Sequence, residues 1–176
     1  KGGFQKADLM DYGSLYGMGS YYGEDYTAST LVRLGTATRN NIALMTSGKA
    51  FAALPAQQQA AATATMRTEL QDVDLTQRHV ILMEALAASA VTVRNEIANS
   101  LGTANPAEGW TPAYSLNPRL ARQTADFLVF SALTTVARRP GKTWSWTQNW
   151  PYEPLVGNTP TTDTFCWTWI SFCFTF

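Results

Sequence analysis

Histidine and cysteine are scarce in this 176-residue chain, which has one histidine, His79, and two cysteines, Cys166 and Cys173. A single histidine excludes a multi-histidine metal or haem centre built by this chain alone. No Cys-x-x-Cys-His sequence occurs, so the chain cannot attach a c-type haem covalently. The two cysteines lie in an apolar run, and we interpret them as small apolar side chains and not as a disulfide or a metal pair.

Net charge is also absent, because thirteen basic residues balance thirteen acidic ones. This balance gives no electrostatic patch for nucleic acid, so we expect no nucleic-acid partner. The sequence has neither a Walker-type phosphate loop nor a glycine motif that joins a strand to a helix for dinucleotide binding. One histidine and scattered acids cannot form a recognisable catalytic nucleophile and base. We therefore predict no catalytic residues in this chain.

Long hydrophobic runs are missing as well. A membrane-spanning helix needs about 20 apolar residues, and no uncharged apolar run in this sequence reaches that length. Residues 164–176 are nonetheless uncharged and rich in aromatic side chains. We interpret this run as the start of a transmembrane helix that is cut short. The alternative is a buried C-terminal strand or helix of a soluble domain.

Tryptophan is concentrated near the end of the chain, with five of its six tryptophans in residues 144–176. Tryptophan rings collect where one edge is apolar and the other is wet, as at a membrane surface. Residues 140–163 hold four prolines and show no helical period. We predict an irregular segment at the membrane edge over 140–163, with a tryptophan-rich soluble core as the alternative.

The rest of the pattern is mostly helical. The predicted helices span residues 26–34, 41–54 (a weak pattern that stops at Pro55), 56–71, 77–101 and 118–138. We take Asp25, Thr76 and Asn117 as N-caps and Gly35 and Gly102 as helix ends.

These helices differ in how they are expected to pack. The 56–71 helix is rich in alanine and glutamine and should lie on the surface. The 118–138 helix is apolar on every side at its centre and should be central to the domain. Trp110 is expected to anchor the loop 103–116. The predicted core face of the 77–101 helix consists of Val80, Met83, Ala87, Val91 and Ile97.

The most unusual stretch is residues 8–26, which contains four glycines and a series of tyrosines. Glycines let the backbone take positive φ and approach other groups closely, while tyrosines add flat area and hydroxyls. This composition predicts a shaped loop and not a helix or strand. The alternative is a mobile surface loop.

Two stretches resemble a known family. Residues 144–161, after Arg139-Pro140-Gly141, closely resemble the segment that leads into the second transmembrane helix of quinol-dependent nitric oxide reductases; they read Trp-Ser-Trp-Thr-Gln-Asn-Trp-Pro-Tyr-Glu-Pro-Leu-Val-Gly-Asn-Thr-Pro-Thr. Residues 12–27 are similar to the extracytoplasmic domain of the same family, although Met18 stands where many members have histidine. The resemblance covers nearly the whole chain.

The resemblance implies a mostly α, haemless cytochrome c-like extracytoplasmic domain of the large subunit over residues 1–139, followed by the irregular segment 140–163 and the truncated transmembrane helix 164–176. In the related cytochrome c-dependent reductases, a Gly-Glu-Gly-Ala-Tyr-Tyr stretch follows the haem motif. Placing that stretch on residues 17–22 puts the lost haem motif on residues 9–13. Tyrosine and tryptophan rings are expected to fill the vacated volume, because a large empty cavity is costly.

The same comparison implies a metal site at Gly19 and Tyr21. In the cytochrome c-dependent enzymes, the second glycine and the first tyrosine of the stretch help to ligate a calcium ion. Calcium takes about six to eight oxygen ligands, so the others would come from the membrane part, and the isolated chain should bind calcium weakly or not at all. Alternatively, Gly19 and Tyr21 form only a turn and its packing.

By this resemblance, the parent enzyme belongs to the haem–copper oxidase superfamily, acts in denitrification, and reduces two NO to N2O and water. It uses haem b3 and a non-haem iron, with electrons from quinol through haem b. This chain would bind none of these cofactors. It would cap the catalytic core on the periplasmic side of the bacterial cytoplasmic membrane and be inactive alone.

The implied partners are the membrane, the remainder of the polypeptide with its membrane helices, and quinol at the parent enzyme. The alternative function is a free-standing, membrane-tethered helical binding or sensor module. An electron-transferring cytochrome is a further alternative, and it would require haem.

Overall fold

The computed structural model describes residues 2–103 and 115–175, apart from the side chain of Phe4. The described elements are α1 (Gly2–Lys6), α2 (Leu9–Tyr12), β1 (Ser14–Leu15), β2 (Met18–Gly19), α3 (Tyr26–Ser47), a 3-10 turn (Phe51–Ala53), α4 (Ala56–Gln71), α5 (Glu84–Gly102), α6 (Pro118–Val136) and α7 (Thr162–Thr175). This architecture confirms the predicted mostly α class. The predicted anchor Trp110 lies outside the described residues.

Two of the predicted N-caps are confirmed by hydrogen bonds. The Asp25 carboxylate accepts from the backbone N–H three residues ahead at 2.8 Å. The Asn117 side chain does the same at 3.0 Å. Pro118 occupies the first turn of α6, where a missing N–H leaves no hydrogen bond unmade.

The predicted helix end at Gly35 is wrong, because α3 continues through this residue to Ser47. Gly35 is buried, and a Cβ added there would lie 2.7 Å from Cγ1 of Val156. Glycine therefore permits close packing at this position. The helix ends at Gly48, which takes the left-handed conformation with φ +67°. The weak segment 41–54 is thus the second half of α3 followed by the 3-10 turn.

The predicted start of the 77–101 helix is also wrong, because α5 begins at Glu84. Thr76 donates its hydroxyl to the Asp74 carboxylate at 2.6 Å, so it stabilises a local turn instead of capping a helix.

The predicted core face is confirmed at Ile97 and at Val80, which precedes α5 and packs against the core while partly buried. It is wrong at Met83 and Val91, which are exposed, and Ala87 is half-buried. The buried residues of α5 are Ala85, Leu86, Ser89, Val93, Ile97 and Leu101.

The core lies between α3, α4, α5 and α6, and α6 contacts the other three as well as α1. Leu128, Ala132 and Leu133 of α6 are buried, whereas Phe127 and Phe130 are partly exposed, so α6 is central but has an outer side. The 56–71 helix is confirmed as α4. As expected, α4 is a surface helix, with Ala62, Met66 and Leu70 as its buried residues.

The C-terminal helix α7 has no buried side chain in the part of the chain that the structure describes. The buried C-terminal element considered as an alternative is therefore not observed. Within residues 2–103 and 115–175, no helix combines the length and the apolar character needed to cross a membrane. Cys166 and Cys173 are exposed free thiols on this helix.

Candidate functional site

Residues 13–25 form what we call the glycine–tyrosine loop. The expectation of a stretch free of regular structure is wrong in part, because α2 precedes the loop and β1 pairs with β2 inside it. The register pairs Ser14 with Gly19 and Leu15 with Met18. Tyr16 and Gly17 connect the strands, with φ of +55° and +74°. Positive φ at both central residues is what a tight hairpin turn requires.

The Asp25 carboxylate holds this hairpin against α3. Its Oδ2 accepts from the backbone N–H of Gly17 at 2.7 Å and from the Ser14 hydroxyl at 2.8 Å. Its Oδ1 caps α3 by accepting from the N–H of Ala28. One side chain therefore joins the first strand and the turn of the loop to the start of the longest helix, and hydrogen bonds to a charged acceptor are the stronger kind.

The two residues predicted for a metal site occupy different settings in this loop. Gly19 lies in β2 with φ +136°, and a Cβ there would lie 2.5 Å from the carbonyl oxygen of Gly13. Only glycine fits this position without a backbone shift. Tyr21 is 88% exposed, and its neighbour Tyr22 is 94% exposed.

Calcium fits this pair only as a partial site, because calcium takes about six to eight oxygen ligands. Gly19 and Tyr21 offer a backbone carbonyl and a phenol oxygen. In the described part of the chain, no three His, Cys, Asp or Glu side chains are grouped so that they could hold a metal ion.

Tryptophan side chains lie directly beside the loop. A Cβ added at Gly17 would be 3.4 Å from the indole nitrogen of Trp150. Trp146 borders a shallow apolar depression together with Met18 and Phe130. Met18, Phe130, Trp146 and Trp150 all remain substantially exposed. The loop and residues 140–163, which we call the tryptophan-rich segment, thus form one continuous, largely apolar surface.

The segment that carries these tryptophans is tightly fixed to the helices. Arg67 of α4 donates to the carbonyl oxygens of Pro154 and Leu155 at 2.6 and 3.0 Å. Asn158 donates its amide to the carbonyl oxygen of Thr135 at 2.8 Å, and both residues are buried. An irregular segment that is bonded in this way has a defined shape.

The same segment leads into α7. The Gln148 side-chain oxygen accepts from the hydroxyls of Thr161 and Thr164 at 2.7 and 3.2 Å. Trp150, two residues after Gln148, is the ring that lies against Gly17. The glycine–tyrosine loop, the exposed tryptophans and the start of α7 therefore lie at one end of the domain.

Residues 9–13, matched above to a haem motif, lead directly into the loop, and the carbonyl oxygen of Met10 accepts from the N–H of Ser20 at 3.0 Å. Leu9 is buried and Tyr12 is partly exposed, and both border a cavity of about 350 Å³. Tyr26 also lines it, and no tryptophan among the described residues does. The expected filling of a vacated haem volume by tyrosine and tryptophan rings stays a prediction. Burial is the main cause that raises the pKa of Tyr26, with Glu24 and Tyr12 adding to it.

Together, the helical core, the two short N-terminal helices and the glycine-rich hairpin define a helical domain of the cytochrome c-like class. A family model that describes the cytochrome c-like domain of the nitric oxide reductase protein NorB matches residues 1–152, and the chain belongs to this family. The match includes the whole glycine–tyrosine loop and ends within the tryptophan-rich segment. A search of curated proteins gave no match to the chain.

Proposed function

We propose that this chain is the extracytoplasmic domain of a quinol-dependent nitric oxide reductase and caps the catalytic membrane core. One observation carries the proposal: the glycine–tyrosine loop, Trp146, Trp150 and the start of α7 share one end of the domain. An exposed apolar surface of this kind is typical of an interface. The family match supports two parts of this proposal: that the enzyme is a nitric oxide reductase, and that the domain is one part of a larger polypeptide.

The sequence at residues 9–13 supports quinol as the electron donor. These residues read Leu-Met-Asp-Tyr-Gly, where the related cytochrome-dependent enzymes carry their haem motif. Without its cysteines, a c-type haem cannot be attached to receive electrons from a soluble donor. Electrons would therefore enter from quinol in the membrane and pass through haem b to haem b3 and the non-haem iron. All three cofactors would be bound by the remainder of the polypeptide.

The role of this domain in that enzyme would be structural and not catalytic. It would cover the periplasmic side of the core, exclude soluble donors and present Gly19 and Tyr21 as two calcium ligands. The aromatic side chains of α7 suit an apolar environment at the cytoplasmic membrane. Membership in the reductase family weighs against the free-standing binding or sensor module.

The test is an assay of the parent polypeptide purified from membranes. We expect NO consumption with a reduced quinol, none above background with reduced cytochrome c, and none with residues 1–176 alone. Turnover driven by cytochrome c would refute quinol dependence. NO reduction by the isolated chain would refute the structural role.

A further inference from the structure

The cavity beside Leu9 has an apolar floor. Leu9, Ile97, Leu101 and Leu128 line it, and each of these side chains is 7% exposed or less. A charged group placed among them would lose its hydration without gaining a partner. The floor therefore selects for an uncharged, apolar portion of any ligand.

Hydroxyl groups line the remaining wall of the cavity. Ser29 and Thr30 of α3 contribute two, and Ser100 of α5 contributes a third. Tyr26 also lines the cavity, but its hydroxyl oxygen is buried, so it presents its ring and not its hydroxyl to a ligand. Hydroxyls both donate and accept, so this wall suits a ligand that carries a hydroxyl of its own.

Two opposite charges stand at the mouth of the cavity. Arg33 and Glu24 both line it, and their nearest charged atoms are 3.8 Å apart. Because the charges offset one another, the mouth attracts neither anions nor cations strongly. It therefore gives a charged ligand no compensation for the apolar floor.

We propose that this cavity binds a small neutral phenol, with its ring on the aliphatic floor and its hydroxyl among the side-chain hydroxyls. The volume of about 350 Å³ suits one ring with a modest substituent, since an apolar cavity of about 150 Å³ already holds benzene. This proposal does not depend on the assignment of the parent enzyme.

The experiment titrates 4-fluorophenol into the purified chain and follows its ¹⁹F NMR signal. We expect a saturable shift, which Ser100→Trp weakens at least tenfold because the indole fills the cavity. Glu96→Trp is the matched control: it also adds an indole to an exposed position of α5, but Glu96 does not line the cavity. Equal affinity of wild type and Ser100→Trp would overturn the proposal, as would no saturation with wild type.

Two further measurements separate this site from non-specific binding to the aromatic side chains of α7. Nuclear Overhauser effects in the wild-type chain should connect the ligand ring to the methyl groups of Leu9 and Leu101, and contacts with α7 alone would overturn the proposal. The anion 4-fluorobenzoate should bind at least tenfold more weakly than 4-fluorophenol. Equal binding would overturn the choice of a neutral ligand. The Overhauser measurement uses only the wild-type chain, so it tests the proposal even if Ser100→Trp fails to fold.

Discussion

The phenolic oxygen of Tyr16 lies 2.9 Å from the hydroxyl oxygen of Thr134, although 118 positions separate the two residues. Thr134 donates its own hydrogen to the carbonyl oxygen of Ser131 at 2.7 Å. Tyr16 is therefore the donor of the longer-range bond. This contact fixes the turn of the glycine–tyrosine loop to the central helix α6, and Asp25 fixes the loop to α3.

Replacing Asp25 with alanine should destabilise the domain. The change removes an N-cap and two further hydrogen bonds to a carboxylate, so we expect the free energy of unfolding to fall by about 2–4 kcal/mol. Urea denaturation followed by circular dichroism measures this. Asp11→Ala is the control at an exposed position and should change stability by less than about 0.5 kcal/mol. Equal effects of the two variants would contradict the role assigned to Asp25.

Replacing Gly35 with alanine should strain the packing of α3 against the tryptophan-rich segment and lower the stability of the domain. The added methyl group meets Val156, and such overpacking costs about 1–3 kcal/mol, against a gain in helix propensity of about 1 kcal/mol. We expect a net loss of stability in the wild-type background and none in a Val156→Ala background. A double-mutant cycle in urea measures the coupling. If the stability changes of Gly35→Ala and Val156→Ala are additive, residues 35 and 156 are not in steric contact and the prediction is wrong.

Stability should depend on pH through Glu69. Burial raises the pKa of this carboxyl above its ordinary 4.5, and the Leu86 backbone N–H lowers it only in part. One of its oxygens is buried without a hydrogen-bond partner among the described residues. The stabilising contribution of the protonated form is complete below the ordinary pKa and is lost as the pH rises through the raised pKa.

Glu69→Gln should therefore gain stability relative to wild type as the pH rises from about 4 to about 8. Urea midpoints over this range give the comparison. Glu96→Gln, an exposed carboxyl of α5, should follow the wild-type curve. A constant difference between Glu69→Gln and wild type at every pH would rule out the titration of Glu69 as the cause.

The proposed calcium ligand can be tested by comparing two neighbouring tyrosines. Tyr21→Phe should make NO reduction by the parent enzyme more sensitive to EGTA, because one oxygen ligand is lost. Tyr22→Phe should leave this sensitivity unchanged. Both side chains are at least 88% exposed, so neither change should alter the stability of the domain. Identical EGTA titrations for Tyr21→Phe and wild type would remove the phenol from the ligand set.

The exposed aromatic side chains of α7 should cause self-association in water. Trp167 and Trp169 are each 66% exposed, and a contiguous apolar surface of this kind promotes association. Sedimentation velocity without detergent should show oligomers for residues 1–176 and monomers for residues 1–163. A single monomeric species for residues 1–176 at high concentration would contradict this prediction.

Local chemistry made part of the fold predictable from the sequence. The caps at Asp25 and Asn117 and the limits of α4 follow from residues that are adjacent in the chain, and all three are confirmed. The helix end predicted at Gly35 is wrong because Val156, which packs against this glycine, lies far along the chain. The N-cap predicted at Thr76 is wrong because its hydroxyl bonds to the nearby Asp74 carboxylate.

The candidate site was only partly accessible to the same reasoning. The sequence identified Asp25 as a cap, but a carboxylate has two oxygens, and the partner of the second depends on how the hairpin closes. Gly19 is implied as a ligand by resemblance alone, and its positive φ gives an independent reason for glycine there. Calcium binding by Gly19 and Tyr21 stays a prediction.

Gln148 has a mechanical consequence for the domain. Its backbone carbonyl accepts from the N–H of Thr161, and its side chain holds Thr161 and Thr164. These hydrogen bonds fix the start of α7 to the tryptophan-rich segment. The connection to α7 is therefore more rigid than a flexible linker would be. A tilt of α7 would therefore displace the tryptophan-rich segment. Because the Asn158 side chain bonds to the carbonyl oxygen of Thr135, the displacement would extend to the end of α6.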